Sequence, residues 1–200
     1  DAHLQAAVRA LSINTIIRDA DAVHRVSQIE TVLFTTRQTL FKPDFVVADW
    51  KTSDAANPQI VLDALYTIQV ATAGRIASAL SSFAAAKNAR AASNCEITAH
   101  LHKGLSAQTP WGSIYCGNRM LLLSNGISTG LLEDYADEME NLGRRVVFMA
   151  LDDVCAAAFA LEEQAFDQSL ETLQSISAMG LETALITQAE AVPAQAIASK

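Results

Sequence analysis

The hydrophobic positions of this chain change period several times, and each change marks a new element. Val32-Leu33-Phe34, inside "ETVLFTTRQTLFKPDF", is a short apolar run that passes straight into polar residues, which predicts a strand ending in a turn. Asn57-Pro58 reads as a helix start, with Asn57 as N-cap and Pro58 at the first helical position. That helix runs to about Ala71 with Val61, Leu65 and Ile68 on one face; Gly74 separates it from a second, through Ile76, Leu80 and Phe83. "NCEITAHLHKGLSAQ" and "SIYCG" read as β segments joined by a turn at Pro110-Trp111-Gly112. Residues 129–142 predict a helix capped by Thr129, with Leu132, Tyr135, Met139 and Leu142 three and four apart and Gly143 as its stop.

Beyond Gly143 the pattern changes again. "RRVVFMAL" and "VCAAAFAL", separated by Asp152-Asp153, predict strand, turn and strand. A helical stripe of Phe166, Leu170, Leu173, Ile176 and Met179 closes at Gly180; "LETALIT" then reads as a buried strand and "AVPAQAIAS" as the start of another helix. Strand–helix–strand with an apolar central strand is the pattern of a parallel α/β layer. The expected organisation is therefore α/β, with one layer built from residues 1–48 and 143–200 and an α+β insertion over 49–142.

Composition narrows the partners more than the fold. The 200 residues are 50% hydrophobic and 18% charged, with a formal net charge of -8. No basic stripe is available to neutralise a phosphate backbone, so nucleic acid is not an expected partner. The longest apolar run, Val146 to Leu151, falls far short of the roughly 20 residues that span a bilayer. The N-terminal "DAHLQAAVRALS" is amphipathic and has no signal-peptide core, so the chain as given reads as soluble. Three cysteines, Cys95, Cys116 and Cys155, lie far apart without a CxxC, which fits a reducing compartment.

Local motifs are few. There is no GxxxxGK[ST], no GxGxxG after a strand, no GxSxG and no HExxH. Cys95, His100 and His102 form the one cluster of metal-ligand types; on a strand the two histidines would share a face. Three ligands without a fourth make a weak site, and two surface histidines on a strand is the plainer reading.

The order of segments resembles the cytoplasmic catalytic region of heavy-metal (copper, zinc and cadmium) transporting P-type ATPases, over about residues 13–190. "NTIIRDADAVHRVSQIETVLF" followed by "TTRQTLFKPDF" resembles the approach to the phosphorylated aspartate. "KGLSA…SIYCGNRMLLLSNGI" resembles a nucleotide-domain segment, and "LGRRVVFMALDDVCAAAFALEEQAFDQSLETLQSISAMGLETALIT" the return to the phosphorylation domain. The resemblance implies an incomplete haloacid-dehalogenase-like, Rossmann-type phosphorylation domain carrying an inserted nucleotide-binding-type domain. It implies ATP and Mg²⁺ as cofactors and a place on the cytoplasmic side of a membrane.

The departures from the family pattern bear on function. Thr35 stands where the resemblance puts the phosphoryl-accepting aspartate, followed by Thr36, Arg37 and Gln38 in place of Lys, Thr and Gly. A threonine hydroxyl has no anionic form at neutral pH and no second oxygen for Mg²⁺. The TGD loop corresponds to Thr187-Gln188-Ala189, and the DxxRP segment to Glu163, Phe166 and Asp167. In the nucleotide domain, SEHP falls on Thr72-Ala73-Gly74-Arg75, an upstream acid on Gln69, and the first glycine of GxG on His102. Gly104, Gly117 and Asn118 match as nucleotide-binding positions, while the glycines are equally well explained as turn residues. ATP and Mg²⁺ binding is accordingly expected to be weak or absent.

The expected function is that of a catalytically inactive region with a structural, regulatory or partner-binding role. The alternatives are the ATP-binding region of a working metal transporter, a metal-binding or sensing module using Cys95, His100 and His102, and a stand-alone phosphatase. The last needs the same strand-tip aspartate and ranks lowest. No lysine or GDGxND loop of the kind the family carries follows Ala191, which implies a piece of a longer membrane protein, with its transmembrane helices as partners. The other possibility is a homo-oligomer or protein partner covering an incomplete sheet edge.

Overall fold

The structure is a computed structural model that describes residues 2–35, 39–93 and 95–186. It divides into two compact units. One takes the described residues up to Thr35 together with Asp167–Ile186; the other runs from Thr39 to Phe166.

The larger unit is built on a six-stranded antiparallel sheet in the order β2-β7-β6-β5-β4-β3. Its strands are β2 (Phe41–Thr52), β3 (Ile97–His100), β4 (Gly104–Thr109), β5 (Gly112–Gly117), β6 (Arg145–Leu151) and β7 (Val154–Ala165). Side chains alternate across the pleat. Val147 and Met149 of β6 enter one core with Phe159 and Leu161 of β7, whereas Val146, Phe148 and Ala150 enter the other with Ala158 and Ala160. Both faces are covered, so the strands read as continuous apolar runs.

Helices α3 (Pro58–Val70) and α4 (Arg75–Ala86) cover the first face, contributing Val61, Leu65, Ile68 and Leu80. As the sequence predicts, Asn57 caps α3: its side-chain oxygen accepts from the Gln59 amide at 2.9 Å and the Ile60 amide at 3.4 Å. Helices α5 (Arg119–Ser124) and α6 (Glu133–Asn141) cover the second face with Leu121, Leu122, Tyr135 and Met139. Phe159 is fully buried, stacked on Trp50 at 5.7 Å between ring centroids with Phe83 edge-on at 6.1 Å. At the outer strand β2, register shifts fall between Phe41 and Phe45 and between Val47 and Asp49. Pro43, which has no amide hydrogen to give, lies in the first of them.

The smaller unit holds α1 (Ala2–Ser12), α2 (Ala20–Val26), α7 (Ser169–Ala178) and a two-stranded parallel sheet of β1 (Thr31–Thr35) and β8 (Glu182–Ile186). Asp19 caps α2, accepting from the Asp21 amide at 3.0 Å. The Arg25 guanidinium bonded to Asp19, with the Asp21 amide, holds that carboxyl below its ordinary range. Leu33, Leu170, Met179 and Ile186 are exposed within this unit.

Several expectations need correction. The units part near residues 36 and 166, whereas 48/49 and 142/143 were the boundaries expected from sequence. The reason is that β2 pairs with β7, β7 with β6 and β6 with β5, so residues 41–52 and 145–165 belong to the sheet of the larger unit. The two-residue turn at Asp152-Asp153 returns the chain antiparallel, and among the described residues β1 and β8 form the one parallel pair. Strand β8 is mostly exposed, not buried. The stretch after Thr129 opens as a 3-10 turn, Gly130–Leu132, before α6; Thr129 makes no capping bond and its hydroxyl donates to the Glu133 carboxylate instead. Phe166 lies outside α7. The helix expected at "AVPAQAIAS" falls outside the described residues.

Replacing Phe159 by Ala should cost about 3–5 kcal/mol, because a fully buried ring leaves a cavity between Trp50 and Phe83. Asn57→Ala, which removes only a cap, should cost about 1 kcal/mol. Urea unfolding of the two variants should show that ranking, and a smaller loss for Phe159→Ala would contradict the core described above.

Candidate functional site

Strands β1 and β8 run in parallel with Thr35 opposite Ile186. Their C-terminal tips therefore lie side by side, at the edge where open parallel sheets carry their chemistry. Val32 and Phe34 are half-buried, while Thr31, Leu33 and Thr35 share the exposed face. The described residues at the two tips, Thr35 and Ile186, are an alcohol and a hydrocarbon, neither ionised at neutral pH. Thr36, Thr187, Gln188 and Ala189 lie outside the described residues.

In the larger unit the structure does bring Gly104, Gly117 and Asn118 together. Gly104 and Gly117 are direct partners across β4 and β5. Gly104 has φ +143°, and a Cβ there would sit 2.2 Å from the Cys116 carbonyl oxygen; a Cβ on Gly117 would sit 2.1 Å from that of Lys103. Only two bare backbones can cross this closely. The Asn118 amide donates to the Lys103 carbonyl at 2.8 Å, and its side-chain nitrogen to the His102 carbonyl at 3.1 Å. Its side-chain oxygen accepts from the Leu121 amide at 3.1 Å, capping α5. One asparagine thus ties the β3–β4 turn to the start of a helix.

Sequence reasoning missed the neighbour of this corner. Arg119 bonds Glu133 at 2.8 Å, Asp137 at 3.1 Å and Glu140 at 2.7 Å, and its guanidinium lies 5.2 Å from the centre of the Phe148 ring. The signal was legible: acids spaced four and three apart share one face of a helix. Burial pushes Glu133 up, but bonds from Thr129 and Arg119 prevail and hold its carboxyl below the usual range. Arg119 is driven further toward its charged form, first by the bond to Glu140.

The other nucleotide-related positions hold no ionised group free to act. Gln69 is buried and its amide donates to the Cys116 thiol at 3.1 Å. Burial pushes that thiol up to about 12, against the pull of the Gln69 bond. Gly74, at φ +134°, precedes α4 without a capping bond, and open space surrounds the place a Cβ would take. Arg75 is bound to Glu163 at 2.7 Å and lies 4.4 Å from the centre of the Phe45 ring.

The metal candidate does not assemble. Strand β3 ends at His100, and His102 sits in the following turn at φ 58°, so the shared strand face is lost. His100 bonds the Ser106 hydroxyl at 2.7 Å, and Cys95 contacts the Ser93 carbonyl at 3.8 Å. Among the described residues no group of three His, Cys, Asp or Glu side chains could hold a metal ion.

Gly104→Ala should destabilise by more than about 2 kcal/mol, since left-handed strain adds to backbone overlap. Thermal unfolding checks it; Gly126→Ala, at positive φ but with open space around it, supplies the strain-only reference. A second outcome concerns pH. Cys116 and Cys155 are both raised to about 12 by burial, so the unfolded chain sheds these protons first as pH climbs. The folded state should keep their full contribution below about pH 9 and lose it progressively toward pH 12, a slope that replacing both by Ala would flatten.

No family model matches the chain. It is 24% identical over 196 residues to a probable copper-exporting P-type ATPase V of Mycobacterium tuberculosis, matching 96% of this chain and 25% of the relative. Its fold superposes on a zinc-transporting PIB-type ATPase in the E2·Pi state with a TM-score of 0.78 at 18% identity, covering 98% of this chain and 31% of the other. It also superposes on the catalytic domain of the CPx-ATPase CopB-B, described for its conformational changes upon nucleotide binding, with a TM-score of 0.70 at 11% identity, covering 96% of this chain and 68% of the other. The chain spans between a quarter and a third of the length of the curated relatives it matches first. No helix among the described residues is long and apolar enough to cross a membrane. Homologues of this chain are heavy-metal P-type ATPases, and it has the mixed α/β fold of their catalytic domain.

Proposed function

We propose that this chain is the cytoplasmic catalytic region of a heavy-metal P-type ATPase-like protein that has lost phosphoryl transfer and keeps a structural, regulatory or partner-binding role. The observation that carries the reading is the strand tip. Thr35, at the end of β1 and level with Ile186 of β8, stands where the resemblance puts the nucleophile and offers only a hydroxyl that is not ionised. In-line attack on a γ-phosphate needs a charged oxygen and a second one to share Mg²⁺. On this reading the smaller unit is a haloacid-dehalogenase-like layer, and the larger is the nucleotide-binding-type domain inserted into it.

The nucleotide site on this reading is the corner of Gly104, Gly117 and Asn118. The three matched positions lie together there, while Gln69 and Gly74 supply neither charge nor ring for a base. Affinity for ATP and Mg²⁺ is therefore weak, since a pocket loses binding when its few specific polar contacts go. Transmembrane helices of the same protein are the natural partners. The exposed Leu33 and Ile186 are covered by further strands of that protein, by a second copy or by another partner.

Incubation with γ-labelled ATP and Mg²⁺ should leave no hydroxylamine-labile label on the protein. Thr35→Asp alone should not restore it, because several positions have changed together. An acyl-phosphate on the unaltered chain would overturn the inactive reading in favour of a working ATPase. Calorimetric titration should give an ATP dissociation constant weaker than roughly 100 μM.

A further inference from the structure

We propose that Arg119 is the positioning residue of the Gly104–Gly117–Asn118 corner, and that the corner holds its ligand-competent shape only while Arg119 is clamped to α6. The proposal rests on the reading above for the identity of the ligand, a nucleotide, but its geometry stands apart from that reading.

Arg119 is the first residue of α5, and Asn118, immediately before it, makes all three bonds that close the corner. Helix α5 is only six residues long, too short to fix its own start. Leu121 and Leu122 seat its body in the second core; the polar anchor at its first residue is the Arg119 guanidinium, which uses Nε on Glu133, Nη2 on Asp137 and Nη1 on Glu140. These acids lie on one face of α6, and α6 is itself packed on the sheet through Tyr135, Ala136 and Met139. A planar, forked cation is the one side chain that can hold three carboxylates at fixed angles. Phe148, beneath the guanidinium, is the β6 partner of Gly117, so the same arginine bears on the strand that backs the glycine pair.

The chain of contacts runs from α6 through Arg119 to Asn118, and from Asn118 to the His102 and Lys103 carbonyls. Arg119 need not touch the ligand. Releasing it frees the start of α5 and loosens the cap on Leu121, so Asn118 no longer holds the β3–β4 turn.

Amide hydrogen exchange on the whole chain tests this without any ligand. In Arg119→Gln the Asn118 and Leu121 amides should exchange at least about tenfold faster, while the Phe159 amide in the core is unchanged. Arg119→Lys, which keeps the charge but not the fork, should restore part of the protection. Arg144→Gln breaks a comparably exposed ion pair with Glu162 and should leave both corner amides as they are. In parallel, ATP titration of Arg119→Gln should show an affinity about tenfold lower than the parent. Unchanged corner exchange, or acceleration spread evenly to Phe159, would overturn the positioning role. If the parent chain binds no ATP while the corner amides respond as stated, the positioning role stands and only the nucleotide reading falls.

Discussion

The larger unit depends on a hairpin that must be apolar on both faces. Strands β6 and β7 lie inside the six-stranded sheet, and each gives alternate residues to two separate cores. Neither strand can carry a charge in its middle without burying it, and β7 resolves the crowding with "CAAAFA", small residues around a single large ring. Phe159 fills the first core beside Ala156 and Ala157, against Trp50 on one side and Phe83 on the other, while Ala158 and Ala160 face the second core. Everything that positions the corner hangs from this frame: β5 is paired to β6, α5 and α6 lie on its second face, and α3 reaches the first face to meet Cys116 through Gln69.

Much of this was legible from residue order. Asn57-Pro58 marked a helix start because an amide oxygen and a fixed φ serve that position physically, and the turns at Gly112 and Asp152 followed from turn chemistry. What could not be read was partnership. A continuous apolar strand fits a parallel layer or a two-faced antiparallel one equally well, and only pairing decides. Hence β6 and β7 were assigned to the wrong sheet, and the unit boundaries moved with them. The 3-10 start before α6 escaped for a similar reason: Thr129 looks like a cap in sequence, but Glu133 takes its hydroxyl.

The site was legible in part. Gly104, Gly117 and Asn118 are neighbours in the fold, whereas His100 and His102 part because the strand stops between them. The acidic face of α6 is legible from its spacing, but its partner Arg119 is not, because it lies 14 to 21 residues away. At Thr35, Gln69 and Gly74 the pattern is uniform: where the resemblance places a charged or ring-bearing group, this chain has a neutral or absent side chain settled into local structure.

The crossing of Gly104 and Gly117 has a consequence for how such a chain can change over time. Each glycine is barred from acquiring a side chain by the other strand's backbone, so neither can be substituted singly without opening the sheet. Charged groups at a strand tip carry no such restriction and can be exchanged one by one while the fold persists. Change is therefore sterically freer at a strand tip than at this crossing. A pair of glycines held in this way keeps the crossing of β4 and β5 fixed while the sequence around it changes.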